Sequence, residues 1–148
     1  MPPKPIERSI LLVVSAVCQG SHGPGGWAYV ACSPTGLERD GHGAAQETTA
    51  NRMEITATIE GFKSLGGKDR ATPVRVVSAS RYLVDGGKGG QDRSANLDLW
   101  AKLDAETKNH SVVWEWEPPN TMLYQAQAYE LARRALRRSL KAAAKETP

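Results

Sequence analysis

The chain has few of the features that mark secreted, membrane-spanning or zinc-binding proteins. Its two cysteines, Cys18 and Cys32, do not form a CxxC pair, which favours buried free thiols in a reducing compartment over a disulfide framework. The apolar run Ile10–Val14 is short beside the roughly 20 residues of a membrane span, and no signal-peptide hydrophobic region follows the proline-rich start. The three histidines are too scattered to indicate a ligand set. We therefore expect a cytoplasmic protein with no membrane partner.

Charge of one sign is not in large excess either. Lysine and arginine number 19 against 16 aspartates and glutamates, a net charge of +3, which is too small to indicate nucleic-acid binding unless the charges are clustered. Six cations lie in the last predicted helix and have two open interpretations: phosphate contacts, or a solvated helix end whose cations complement the helix dipole. They are Arg133, Arg134, Arg137, Arg138, Lys141 and Lys145.

The composition, 40% hydrophobic and 24% charged, is that of an ordinary globular chain. The length predicts one domain over residues 1–148, with loose tails at 1–8 and 143–148. Hydrophobic periodicity and turn signals predict the element order β-β-β-α-β-α-α-β-α. The predicted strands are 9–17, 27–32, 37–45, 74–78 and 111–117, and the predicted helices are 50–65, 80–85, one capped by Asn96 and one over 122–145.

The predicted sheet has five strands and is mixed. Its first three strands form an antiparallel meander, and the other two are reached through helices. A helical crossover after the third strand makes the first and fourth strands parallel neighbours, and we expect helices on both faces of the sheet. The fold class is therefore α/β, in the broad sense that includes α+β.

The start of the first helix carries a carboxylate of uncertain role. Thr49 is predicted to cap this helix, because its hydroxyl can accept a free backbone N–H, and Ile55, Ile59 and Phe62 form its apolar stripe. Glu54 lies early in the helix and off that stripe. On position alone, it is either a metal ligand or a solvated surface charge.

Six short motifs are spread from the first strand to the last helix. They are Cys18-x-Gly20-x-x-Gly23-Pro24-Gly25-Gly26-Trp27, Thr48-Thr49-x-Asn51-Arg52-Met53-Glu54, Ser78-x-Ser80-x-Tyr82-Leu83-Val84-x-Gly86, Asn96-Leu97-Asp98-Leu99-Trp100, Trp114-Glu115-Trp116 and Glu130-Leu131-Ala132-Arg133. In order and spacing they resemble the motifs of type 1 ribonuclease H, over residues 9–138. The resemblance implies an RNase H-like fold.

The same resemblance implies hydrolysis of the RNA strand of an RNA–DNA hybrid by two magnesium ions, which four carboxylates hold. The residues at those four positions are Ser15, Glu54, Ala79 and Tyr129, so one carboxylate of the four remains. Asn120 stands where the family has a histidine on a flexible loop. We therefore expect no metal site, and we expect Glu54 to lie at the centre of the former site, hydrogen-bonded to Ser15 or Tyr129.

Residues that contact the hybrid in the family are better kept. Cys18, Ser21, Thr49, Asn51 and Arg81 stand at or near positions that line the family's binding groove. Such groove contacts are suited to the minor groove of a duplex and to its 2′-hydroxyl groups. The resemblance therefore implies that nucleic-acid binding can outlast the loss of the metal ligands.

The leading hypothesis is a degenerate RNase H, a pseudonuclease without a cofactor that retains binding to RNA–DNA hybrid or another structured nucleic acid. One alternative is a protein-interaction or scaffold module with a protein partner. The modest net charge favours that alternative, as does the short segment 87–95, which stands where many family members have a long basic handle. The other alternative is an active, magnesium-dependent hybrid ribonuclease with displaced ligands.

Overall fold

A mixed five-stranded sheet forms the centre of the computed structural model, which describes residues 8–66, 72–89 and 93–146. The strands are β1 (Ile10–Cys18), β2 (Gly23–Cys32), β3 (Glu38–Thr48), β4 (Val74–Ser78) and β5 (Val112–Trp116), and the helices are α1 (Ala50–Leu65), α2 (Arg81–Gly87), α3 (Leu97–Thr107) and α4 (Leu123–Glu146). This is the predicted element order, and the predicted mixed five-stranded sheet is confirmed. Within the described residues, no helix combines the length and apolarity that crossing a membrane requires.

The strands lie in the spatial order β3-β2-β1-β4-β5. β1, β2 and β3 form the predicted antiparallel meander. β4 pairs in parallel with β1, with Val13 opposite Val77, as the helical crossover predicts, and β5 pairs in parallel with β4. Because β1 and β4 run in the same direction, their carboxyl ends meet at one edge of the sheet.

The two faces of the sheet bury different helices. Leu12 and Val14 of β1 belong to the core that also contains Ile55 and Phe62 of α1. Successive strand residues point to opposite faces, so Val13 and Ser15 point to the face that α4 covers. α4 packs there through a stripe of buried alanines at helical spacing, Ala128, Ala132 and Ala135.

The first helix begins and ends as its sequence predicts. The Thr49 hydroxyl accepts the Arg52 backbone N–H at 3.1 Å, which satisfies one of the free donors at the helix start. Gly66 ends the helix with a φ of 67°, a backbone conformation that glycine adopts without steric cost. Its N–H donates to the Lys63 carbonyl.

Three predictions from the pattern are wrong. β2 begins at Gly23, not at residue 27, because the glycine-rich segment is extended and pairs with its neighbours, Cys18 opposite Gly25 and Gly26 opposite Ala44. Asn96 does not cap α3 with its side chain, which instead donates to the Tyr82 hydroxyl at 3.0 Å. The predicted tail at 143–148 is helical through Glu146; residues 1–7, 147 and 148 lie outside the described part of the chain.

Candidate functional site

The sequence-predicted site residues come from four different elements. Ser15 lies on β1, Ala79 directly follows β4, Glu54 lies in the first part of α1, and Tyr129 lies on α4. The carboxyl ends of the parallel pair β1 and β4 bring the first two to one sheet edge. The edge of a sheet beyond the carboxyl ends of parallel strands is a common place for a ligand site.

Glu54 is buried and turned toward β4. The residue is 8% exposed, and its Oε1 accepts the hydroxyl of Ser78 at 2.6 Å. The Ser78 oxygen also accepts the backbone N–H of Ser80 at 2.9 Å, so this hydroxyl ties α1 to the end of β4. Burial raises the pKa of Glu54 from an ordinary 4.5 to about 7, and the Ser78 hydrogen bond opposes that rise.

The predicted hydrogen-bond partner of Glu54 is therefore wrong. Ser78 lies two residues after Val76, which belongs to the α1-side core, so the Ser78 side chain faces α1. Ser15 faces the other side of the sheet. Among the described residues, no hydrogen bond joins the Glu54 side chain to Ser15 or Tyr129, the two partners that sequence reasoning proposed; the carboxyl bonds to Ser78 instead.

A cleft of about 250 Å³ opens on the α4 side of this edge. It is lined by Val14, Ser15, Ala79, Pro119, Asn120, Gln125 and Tyr129. The cleft therefore brings together the four positions at which the family resemblance implies a carboxylate or a histidine and this chain has another residue: Ser15, Ala79, Asn120 and Tyr129. Their side chains offer hydroxyl and amide groups but no carboxylate. Over residues 8–66, 72–89 and 93–146, no three His, Cys, Asp or Glu side chains group so as to hold a metal ion.

Gln125 shapes the loop that carries Asn120. Its Oε1 accepts the backbone N–H groups of Thr121 and Met122, both at 3.0 Å, and its Nε2 donates to the Glu117 carbonyl at 3.3 Å. The side chain thus satisfies free donors at the start of α4, where they would otherwise lack partners. Sequence reasoning missed this residue, although its spacing from Ala128 and Ala132 places it on the buried stripe of the helix.

The β4 side of the cleft carries Arg81. Its guanidinium lies 3.8 Å from the centre of the Trp116 ring, a cation–π contact, and the Trp116 indole N–H donates to the Ala79 carbonyl at 3.0 Å. Arg81 is exposed. A positive charge that was predicted to contact nucleic acid is therefore held beside the cleft by a half-buried tryptophan.

The other four predicted groove residues lie together where the β1–β2 hairpin meets α1. The Cys18 thiol donates to the Thr48 carbonyl at 3.4 Å, and Thr49 caps the helix. Ser21 in the hairpin turn and Asn51 in the first helical turn are exposed. Two of the four residues thus lie on the hairpin and two at the start of α1, whereas Arg81 is the first residue of α2.

Arg52, the cation of the motif Thr48–Glu54, is already paired with a carboxylate. Arg52 donates to both carboxylate oxygens of Asp98, at 3.0 and 2.8 Å, and to the side-chain oxygen of Asn96 at 3.1 Å. The Arg52 hydrogen bond lowers the pKa of the Asp98 carboxyl to about 2. Arg52 therefore fixes the start of α3 against α1.

Comparison with known proteins gives one family. The family model described as RNase H matches residues 8–137. Ribonuclease H of Acidithiobacillus ferrooxidans is 39% identical over 123 aligned positions, which cover 74% of this chain and 75% of that protein. Ribonuclease H of Marinobacter nauticus is 34% identical over 152 aligned positions, which cover 86% of this chain and 94% of that protein.

Solved structures agree. LC9-RNase H1, described as a type 1 RNase H with the type 2 active-site motif, has 28% identity and a TM-score of 0.71, covering 86% of this chain and 72% of that one. LC11-RNase H1, solved in complex with an RNA/DNA hybrid, has a TM-score of 0.79 at 21% identity, covering 89% of this chain and 99% of that one; at that identity the likeness is one of fold. By sequence and fold together, this chain belongs to the ribonuclease H family.

Proposed function

We propose that this chain binds RNA–DNA hybrid, or a related structured nucleic acid, without hydrolysing it. One observation carries the proposal. Three positions that the family resemblance assigns to metal ligands line the cleft as Ser15, Ala79 and Tyr129, and the fourth, Glu54, is buried against Ser78. A family fold with a cleft of this chemistry is suited to contacting the backbone of a duplex and lacks the groups for two-metal hydrolysis.

The donors around the cleft do not fit a pair of magnesium ions. Two-metal phosphodiester hydrolysis needs two cations about 3.5–4 Å apart, and magnesium takes hard oxygen ligands such as carboxylates. Ser15 and Tyr129 supply hydroxyl oxygens, Ala79 supplies no side-chain donor, and the Glu54 carboxyl is shared with Ser78. Uncharged hydroxyls do not offset the charge of two divalent ions.

The same substitutions favour binding without metal. A cleft with several carboxylates repels phosphates unless cations neutralise it, whereas this lining is uncharged. The hydroxyl and amide groups of Ser15, Asn120 and Tyr129 are able to hydrogen-bond phosphate oxygens and 2′-hydroxyls, and these contacts recognise an RNA-containing duplex by its shape. Tyr129 is 45% exposed, so its ring is accessible from the cleft mouth.

Binding and cleavage are measured on one sample. A fluorescently labelled RNA–DNA hybrid is titrated with the protein in EDTA, in Mg²⁺ and in Mn²⁺, and the RNA strand is then resolved on a denaturing gel. We expect the anisotropy to rise in all three buffers, the RNA to stay intact, and the affinity to fall as salt rises because phosphate contacts release counterions.

Two results would contradict the proposal, and each indicates an alternative. Hybrid cleavage that disappears in Glu54→Gln would establish an active hydrolase with displaced ligands. Absence of salt-dependent binding to hybrid in every buffer would favour a protein-interaction module on this fold. The triple variant Ser15→Asp, Ala79→Asp, Tyr129→Asp serves as the charge control, since it should weaken binding in EDTA by placing carboxylates against phosphates.

A further inference from the structure

The solvent side of α4 carries a row of residues that starts with Tyr129 at the cleft and continues with three cations. Tyr129, Arg133, Arg137 and Lys141 follow one another in steps of four residues, and side chains four apart are neighbours on a helix surface. Arg133 lies 5.9 Å from the centre of the Tyr129 ring. The row therefore begins at the cleft wall and continues along the helix toward its C-terminal end.

Arg137 and Lys141 of this row, together with two neighbouring arginines, line a charged concavity. A surface hollow of about 220 Å³ is lined by Arg134, Arg137, Arg138 and Lys141, which we call the α4 basic patch. The four residues lie at spacings of three and four along the helix, so they share one face. That face lies opposite the buried alanines Ala128, Ala132 and Ala135 and is open to solvent.

Most of the patch has no internal partner. Arg134 pairs with Glu130 at 3.5 Å, but within the described residues no ion pair or hydrogen bond engages Arg137, Arg138 or Lys141. Each pair of like charges three or four residues apart destabilises a helix by about 0.2–0.5 kcal/mol. An anion bound across the patch would relieve this repulsion.

The helix dipole does not account for the patch. Its attraction for cations falls off within the last turn of a helix, and α4 ends at Glu146. Lys145 lies in that last turn, whereas Lys141, the last member of the patch, lies more than one turn earlier. The dipole therefore explains Lys145 alone.

We propose that the α4 basic patch binds the sugar–phosphate backbone of the nucleic acid that occupies the cleft. This rests on the proposed function and deepens it by locating the contact that supplies most of the salt-dependent affinity. The patch spans about 10 Å of helix at 1.5 Å per residue. A duplex strand presents one phosphate per roughly 3.4 Å of its axis, so about three phosphates face a segment of that length.

A membrane surface fits the patch less well. Between residues 133 and 145, the exposed side chains are arginine, lysine and alanine only. An interfacial helix instead presents large apolar side chains next to its cations, which enter the acyl boundary. The large apolar residues of this segment, Leu136 and Leu140, are at least partly buried.

The test compares two charge-matched double variants of the whole chain. Arg137→Gln with Lys141→Gln removes two charges from the patch. Lys63→Gln with Lys108→Gln removes two exposed charges near the ends of α1 and α3, opposite the cleft. Both pairs lower the net charge of +3 by the same amount, and glutamine is a good helix former. Circular dichroism checks that both variants fold, and a labelled RNA–DNA hybrid is the probe.

We expect the patch variant to bind hybrid about tenfold or more weakly near 0.1 M salt. The slope of log affinity against log salt should become shallower by about two, since each phosphate contact contributes roughly 0.9. The control pair should change neither quantity by comparable amounts. Equal effects of the two double variants on hybrid binding would contradict the role proposed for the α4 basic patch but not the proposed function. A wild-type chain that does not bind hybrid would overturn both, and loss of binding to phosphatidylserine vesicles with unchanged hybrid binding would assign the patch to a membrane instead.

Discussion

The two faces of the sheet are packed by different kinds of side chain. The α1 side buries large residues such as Leu12, Phe62 and Trp100, whereas the α4 side is packed mainly by small ones, with Gly26 of β2 against Ala132 of α4. Buried apolar area therefore stabilises the fold mostly from the α1 side. On the α4 side, the close approach of the helix backbone to β2 determines where α4 lies.

This difference explains which residues could be replaced without loss of the fold. The motifs of the family resemblance that face α1 contribute to the core or to its hydrogen bonds, as Glu54 and Ser78 do. The substituted positions Ser15, Ala79 and Tyr129 line a cleft on the α4 side and contribute little buried area. Substitutions at these cleft positions are therefore expected to change the stability of the frame little, and the proposed binding surfaces depend on the placement of α4.

The largest expected effect comes from the α1 side. Phe62 is 2% exposed and packs against the His110 ring at 5.3 Å between centroids. Phe62→Ala should lower the free energy of unfolding by about 3–5 kcal/mol, as measured by urea denaturation. If the two faces have separate roles, the folded variant will bind hybrid with wild-type affinity. A large loss of affinity in a fully folded variant would show that the α1 side also contributes to binding.

Glu54 gives a pH-dependent effect of similar size. Its pKa is about 7 in the folded chain against an ordinary 4.5, so the folded chain keeps a proton that the unfolded chain loses. The resulting stabilisation is complete below about pH 4.5 and is lost as pH rises to about 7, at about 1.4 kcal/mol per pH unit or about 3 kcal/mol in all.

The variant Glu54→Gln isolates this contribution, because it keeps the shape of the side chain and its hydrogen-bond acceptor but cannot ionise. Unfolding free energies of both proteins are measured from pH 4.5 to pH 8. We expect the difference between them to grow in favour of the variant as pH rises. Parallel profiles would show that Glu54 titrates normally and is not buried as described.

A smaller effect is expected on the α4 side. A Cβ atom at Gly26 would collide with the Ala132 carbonyl oxygen, so Gly26→Ala must move α4 away from β2. Overpacking of this kind costs typically about 1–3 kcal/mol. Unlike Phe62→Ala, this variant should also weaken hybrid binding, because α4 carries both Tyr129 and the basic patch. Gly61→Ala, whose Cβ atom would meet the Leu12 side chain on the α1 side, is the control for an added methyl group away from α4; unchanged hybrid binding in Gly26→Ala would contradict the dependence on α4.

The smallest expected effect concerns the loop at the cleft mouth. Gln125→Ala removes the acceptor for the Thr121 and Met122 backbone N–H groups, which should cost about 0.5–2 kcal/mol, as for a lost helix cap. The Asn120 loop should then exchange amide hydrogens faster, as hydrogen exchange by mass spectrometry would show. Unchanged exchange in residues 117–122 would mean that Gln125 does not organise the loop.

Local sequence predicted much of the frame and less of the cleft. Helix 50–65 and strand 74–78 were predicted at their observed bounds because the Thr49 cap, the Gly66 stop and the β-branched run are local signals. The start of β2 was not, since Gly23–Gly26 has the composition of a turn, although its glycines permit close packing. Ser78 was missed as the partner of Glu54, because contacts between α1 and β4 depend on which face each side chain takes. A small hydroxyl at the end of a valine-rich strand was the one available signal.

We propose that the cleft holds no pair of metal ions. It is tested most directly by an anomalous difference map from crystals soaked in Mn²⁺, calculated around Glu54, Ser15, Ala79 and Tyr129. We predict no pair of peaks there and a Glu54 carboxyl still bonded to Ser78. Two peaks about 3.5–4 Å apart, with Glu54 turned toward them, would contradict the claim and restore the chain to the active nucleases of its family.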